Sequence, residues 1–209
     1  MSTLRLCGLD PSLRNWGIAH AVYHMATGKL SLAGLDVIQP VLNKGKQVRQ
    51  TSMDLDSAKQ LHEAAYNAAV NADVVFVEVP IGSQSARAMA SYGVCVGVLG
   101  SLQSAGIPLF TVTPTEVKMA TVGSKTATKE EMINWAVANY PGSEWPIVRA
   151  KGSVTINASK AEHMADALGS IQAGIALASF KQLLSIYRTG KTYGDLEAHP
   201  RVHGLLRSF

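Results

Sequence analysis

The chain is short of cysteine, of charge and of long hydrophobic runs. Its two cysteines, Cys7 and Cys95, both sit inside apolar stretches. No Cys-x-x-Cys or histidine-rich spacing of a zinc site is present. Buried free thiols in a reducing compartment are expected, rather than a disulfide. Charged residues make up 16% of the 209 positions, below the usual share of about 25%. The apolar stretch 94–99 is far too short to span a bilayer, and no membrane partner is expected. Residues 1–5 lead straight into a strand-like run, so no leader peptide is expected either. A glycine-rich turn after the first strand is also missing, since Leu13-Arg14-Asn15 stands there. That turn usually marks actin-like ATPases and sugar kinases, which leaves a small-molecule kinase as a weak alternative.

Apolar residues account for 47% of the chain, enough to bury a sizeable core without staples. The length suits one domain with some spare chain. The net charge of +4 is modest and by itself favours nucleic acid only weakly. Its distribution says more. Lys44, Lys46 and Arg49 form one group, Lys118, Lys125 and Lys129 a second, and Arg149, Lys151 and Lys160 a third. Each group alone is as readily a solvated loop as a phosphate contact.

The apolar run 4–10 reads as a buried strand. Residues 15–23 and 29–38 read as two more, joined by a turn around Ala26-Thr27-Gly28, which makes an antiparallel meander. A helix follows over 52–71, with Ala58, Leu61, Ala65 and Ala68 on one face. Residues 74–79 are a β-branched strand that must pair in parallel after this crossover. A helix of small residues, with Gly93 and Gly97 four apart, spans 85–105. It is expected to lie close to the sheet or to a partner helix. Gly106 stops it, and a short strand covers 109–112. Thr128 and Glu131 form a capping box for a helix to about Tyr140. Pro141-Gly142 opens a long loop over 141–157. Ser159 and Glu162 look like another capping box, starting one helix to about Tyr187. The expected division is one domain over 1–187 and a C-terminal tail over 188–209.

Four residues in this frame carry chemistry. Asp10 ends the first strand and Glu78 the fourth. A turn aspartate and a salt-bridged glutamate are their ordinary readings, but a carboxylate within a Val/Phe run is costly to bury unpaired. His163 and Asp166, three apart in Glu162-His163-Met164-Ala165-Asp166-Ala167, can point the same way from one helical turn. Carboxylates drawn together repel, and a divalent cation relieves that. Oxygen ligands suit Mg²⁺, and a single histidine is better tolerated by Mn²⁺. The order βββαβαβ with acids ending the first and fourth strands is the ribonuclease H-like pattern, a mixed five-stranded α/β sheet flanked by helices.

Five segments in order resemble the RuvC family of Holliday junction resolvases over roughly residues 4–180. They are Gly8-Leu9-Asp10-Pro11-Ser12, Val77-Glu78, the Gly/Ala-rich stretch 85–97, the stretch 112–132 and His163-Met164-Ala165-Asp166-Ala167-Leu168. The resemblance implies a metal-dependent endonuclease acting as a homodimer, cutting four-way DNA junctions by paired symmetric hydrolysis. By position, Asp10, Glu78, His163 and Asp166 would be its catalytic metal ligands, with Mg²⁺ as cofactor and Mn²⁺ a substitute. Lys118, Lys125, Lys129, Ser12 and Ile81 would face the DNA. Ile81 stands where bacterial members place an aromatic wedge, which puts junction selectivity in question. A cytoplasmic location, in a bacterium or a virus-infected host cell, is implied by resemblance alone, and any helicase partner stays open. The alternatives are a broader branched-DNA or flap nuclease, and a non-catalytic DNA-binding protein of the same fold.

Overall fold

In a computed structural model the described residues are 3–42, 45, 48–79, 82, 84–150 and 152–188. The expected wedge residue Ile81, the tail beyond 188, and Lys44, Lys46 and Lys151 lie outside them.

The meander forms as expected: β1 (Thr3–Asp10), β2 (Trp16–His24) and β3 (Lys29–Ile38). Helix α1 (Gln50–Ala69) then carries the chain to β4 (Val74–Glu78), and α2 (Ala86–Ser104) carries it to β5 (Leu109–Val112). The sheet order is β3-β2-β1-β4-β5. β1 and β2, like β2 and β3, pair antiparallel, whereas β4 pairs in parallel with both β1 and β5. Both faces of the central strands are covered, which is why β1 and β4 read as nearly continuous apolar runs.

Alternation sorts the strands into two cores. Leu4, Leu6, Val74 and Phe76 face one way, where Phe180, Leu168 and Ile171 pack on them. Cys7, Leu9, Val75 and Val77 face the other, against Leu61, Ala65, Leu99 and Leu102 of α1 and α2. Both cysteines are buried and unpaired, as expected, and burial pushes each thiol up to about 12. The buried stripe of α1 is Ser57, Leu61, Ala65 and Ala69, rotated slightly from the expected face. Arg87 of α2 grips Asp54 of α1 with two bonds of 2.6 and 2.7 Å.

Several expectations need correction. The stretch after β5 contains a short helix, α3 (Pro114–Thr121), started by a capping box between Thr113 and Glu116. The segment read as a long loop holds a hairpin after α4 (Lys129–Asn139), formed by β6 (Ile147–Ala150) and β7 (Ser153–Ile156). The last helix is two, α5 (Ala158–Gly174) and α6 (Ala178–Arg188). Its expected capping box does not form. Asn157 is the N-cap, Ser159 Oγ donates to Asn157 Oδ1 at 3.0 Å, and Glu162 turns instead to Lys129. Gly93 and Gly97 also do not lie against the sheet. They are exposed, and a Cβ added at either would meet nothing within 4 Å.

Candidate active site

Parallel pairing of Leu9 with Val77 sets Asp10 and Glu78 side by side where β1 and β4 end. Their parity puts both on the face covered by α5, in line with Leu4, Leu6, Val74 and Phe76. α5 crosses that face against β1, β2 and β4, with α3 and α4 beside it. Two glycines let it come so close. A Cβ on Gly8 would sit 2.0 Å from the carbonyl oxygen of Ala167, and one on Gly17 2.0 Å from that of His163. Gly17 is the β2 partner of Asp10, so the second contact brings His163 to Asp10.

The result is a hydrogen bond between His163 Nδ1 and Asp10 Oδ2 at 2.6 Å, with side chains only 18% and 13% exposed. A carboxylate only accepts, so an ionised Asp10 fixes the imidazole proton on Nδ1 and leaves Nε2 as the acceptor of the neutral ring. Asp166, one turn along α5, is half-buried. Glu162 accepts from Lys129 Nζ at 2.6 Å, joining the start of α4 to that of α5.

Asp10, Glu78 and Asp166 are each held above the ordinary carboxylate range. Burial and then the charges of Asp10 and Asp166 push Glu78 up to about 8, against the opposing charge of Lys118. Burial, with Asp10 and Glu162, lifts Asp166 to about 7, while His163 and Lys118 oppose. Burial also raises Asp10, although His163 works against it. Burial pulls His163 down, but the hydrogen bond and charge of Asp10, helped by Glu162 and Asp166, more than offset this and raise it. Desolvated carboxylates beside one another at a sheet edge are an arrangement that a cation stabilises.

As the side chains stand, no three His, Cys, Asp or Glu residues among the described ones form a group that could hold a metal ion. Asp10, Glu78, His163 and Asp166 therefore share an edge without being a ready-made cage. Their chemistry does fit a hard divalent cation: three carboxylates, one imidazole and a surplus of negative charge.

The other expected site residues fall around this edge unevenly. Lys118, on the unforeseen α3, is near enough for its charge to act on Glu78 and Asp166. Lys129 is paired with Glu162 but keeps its side chain 77% exposed. Lys125 is exposed between α3 and α4, and Ser12 is half-buried after Asp10. Glu162, read from sequence as a cap, is instead a charged neighbour of the acids, and only its three-dimensional pairing with Lys129 shows this. A cleft of about 620 Å³ lies elsewhere, lined by Arg14, Gln39, Gln50 and the Asp54–Arg87 pair, with none of the four acid-site residues in its wall.

A mixed sheet with its first three strands antiparallel, flanked by helices and carrying acids at the ends of β1 and β4, defines a ribonuclease H-like α/β fold. Within that class the chain has the fold of the RuvC resolvases. It is similar to Thermus thermophilus RuvC in complex with a Holliday junction substrate, at 20% identity and a TM-score of 0.58, over 81% of this chain and 92% of that one. It is also similar to the Fowlpox virus resolvase in complex with Holliday junction DNA, at 11% identity and a TM-score of 0.52, over 83% of this chain and all of that one. No protein-family model and no curated protein matches the sequence.

Proposed function

We propose that this chain is a metal-dependent endonuclease that resolves four-way DNA junctions. The observation that carries the reading is the meeting of Asp10, Glu78, Asp166 and His163 at one sheet edge, in a fold shared with junction resolvases. A small-molecule kinase is disfavoured, because the cleft large enough for a nucleotide is not lined by these acids.

Asp10, Glu78 and Asp166, with His163, would hold Mg²⁺ or Mn²⁺. When bound, such an ion lowers the pKa of a bound water and stabilises negative charge on a phosphodiester oxygen. His163 is oriented through Nδ1 by Asp10, so Nε2 is the one atom it would offer, either to the ion or to a proton from water. Lys118 stands close enough to Glu78 and Asp166 to offset their charge, which an approaching phosphate would otherwise meet. Lys129 and Lys125 reach solvent and would contact the DNA backbone.

The second subunit would be another copy of this chain. α2 buries Cys95, Val98, Leu99 and Leu102 and turns Gly93, Val96 and Gly97 to solvent. That small-residue face permits a close two-fold helix contact, and two symmetric cuts need a two-fold axis.

Digestion of four-way junction, three-way junction, flap and linear duplex with Mg²⁺ or Mn²⁺ tests the reading. Paired cuts confined to branched forms are expected, lost in Asp10→Asn while binding persists. Equal cutting of all forms would instead favour the broader nuclease, which Ile81 in place of an aromatic wedge allows. No cutting of any form, or wild-type cutting by Asp10→Asn, would overturn it.

A further inference from the structure

The hairpin between α4 and α5 is not used by the chemistry above. Residues 147–156 read Ile-Val-Arg-Ala-Lys-Gly-Ser-Val-Thr-Ile and include no acid. They fold back at Gly152, whose φ of 80° suits the turn. Residues paired across an antiparallel ribbon share a face. The register Ile147↔Ile156 and Arg149↔Val154 therefore gathers two isoleucines, a valine and an arginine on one side. All are exposed, Val154 by 58% and Ile147 by 49%. β6 and β7 pack chiefly on each other. A lone two-stranded ribbon is marginal in water, and bare β-branched side chains on it are unfavourable. A bound partner would relieve both costs.

Its place in the fold and its charge indicate the partner. The Asn157 amide donates to the Pro146 carbonyl at 2.7 Å, closing the ribbon's root. Asn157 is also the N-cap of α5, so the root lies about 9 Å along the helix from His163, at 1.5 Å per residue. Trp145 Nε1 donates to the Tyr140 carbonyl at 3.1 Å, tying the same root to the end of α4. Arg149 on the ribbon and Lys160 in the first turn of α5 continue the basic character of Lys129. A ribbon that is cationic, apolar and free of acids complements a phosphate backbone and the bases within it. A two-stranded ribbon fits the major groove, and Val or Ile side chains contact thymine methyls or wedge into a broken stack.

We infer that the β6–β7 ribbon is a further DNA-binding surface, which enters a groove of the duplex arm next to the carboxylate edge. Arg149 contacts the backbone, and Ile147, Val154 and Ile156 face the bases. The inference rests on the nuclease reading and deepens it, by naming how a branched duplex is held beside the acids.

Anisotropy with a labelled four-way junction, and with a linear duplex of the same sequence, decides it in the presence of a chelator. Wild type is compared with Arg149→Glu, with Val154→Asp and with a protein whose residues 147–156 are replaced by a short Gly/Ser turn. The replacement is expected to weaken junction binding roughly tenfold or more, and each point variant several-fold, in line with loss of one or two groove and phosphate contacts. Should the replacement not fold, the two exposed point variants still give the answer. Wild-type affinity in both point variants would overturn the inference. So would a loss of affinity that comes with conversion of a dimer to a monomer in sedimentation, since the ribbon would then be a protein contact. Cleavage is read separately with metal. A wild type that cuts no DNA, with ribbon variants that lose binding, defeats the nuclease reading and keeps the surface. A wild type that cuts, with ribbon variants that bind and cut alike, defeats only the surface.

Discussion

Gly17 stands across the β1–β2 pairing from Asp10, and the His163 carbonyl occupies the place where a side chain would be. That single missing methyl sets how near α5 can bring its imidazole to the first carboxylate. Gly17→Ala must push backbone away from backbone, since 2.0 Å admits no rotamer escape. A loss of about 1–3 kcal/mol or more is expected in urea unfolding, together with a larger loss of cleavage than the stability change alone explains. Wild-type activity in a folded Gly17→Ala protein would show that the His163–Asp10 contact is dispensable. The acids themselves predict a pH response. Glu78 rises from an ordinary 4.5 to about 8, so between those values the folded protein binds a proton that the unfolded chain has already lost. Folding is then favoured at the low end of that window and weakens as pH rises through it. The metal-free protein should lose thermal midpoint from pH 5 to pH 8. Glu78→Gln should flatten that slope, and millimolar Mg²⁺ or Mn²⁺ should raise the midpoint most at pH 8. A midpoint that climbs with pH in chelator would contradict the raised carboxylates.

Among the elements, legibility followed the length and purity of the pattern. β1 and β4 were plain because buried central strands are apolar throughout, and the residue that ends each run is an acid of the candidate site. The Thr128 capping box was plain too, because its donor and acceptor are three residues apart and need nothing else. α3 escaped because eight residues beginning with Pro114 give too short a period, although Thr113 and Glu116 carried the same signature as Thr128 and Glu131. The ribbon escaped because Pro141, Gly142 and Pro146 mark a loop, and its strands bury no face that would show alternation. Ser159 and Glu162 had the right spacing but the wrong partners, since Lys129 lies far away in sequence and claims Glu162. Thr128→Ala should therefore cost about 1 kcal/mol, whereas Ser159→Ala should cost only a few tenths. Equal losses by chemical denaturation would restore the capping role that the structure denies to Ser159.

For the whole molecule, sequence pattern supplied the sheet and the edge on which the acids stand, but not how the acids are partnered. The Asp10–His163 contact spans 153 positions of chain and depends on how closely a helix can lie on a sheet, which no local pattern states. Nor could spacing decide what the α2 glycines face. Their open surroundings exclude packing on the chain's own sheet and leave a second copy as the partner proposed for them. Wild type should sediment as a dimer at micromolar concentration, and Val96→Asp, at a half-exposed position, should sediment as a monomer with unchanged circular dichroism. A Val96→Asp dimer would move the interface elsewhere.

The helix that bears His163 and Asp166 also helps to fill one core, through Ala165, Ala167, Leu168 and Ile171. Chemistry and architecture are thus written in alternate letters of one word. Across descendants of this sequence, α1 and α2 can be respelled freely wherever volume is kept. α5 has little such freedom, because almost every position either touches the acids or seats the helix that aims them. A mutational scan should find that drift silences the protein through α5 first, and that inactive variants from that stretch divide between misfolded chains and well-folded ones that no longer cut.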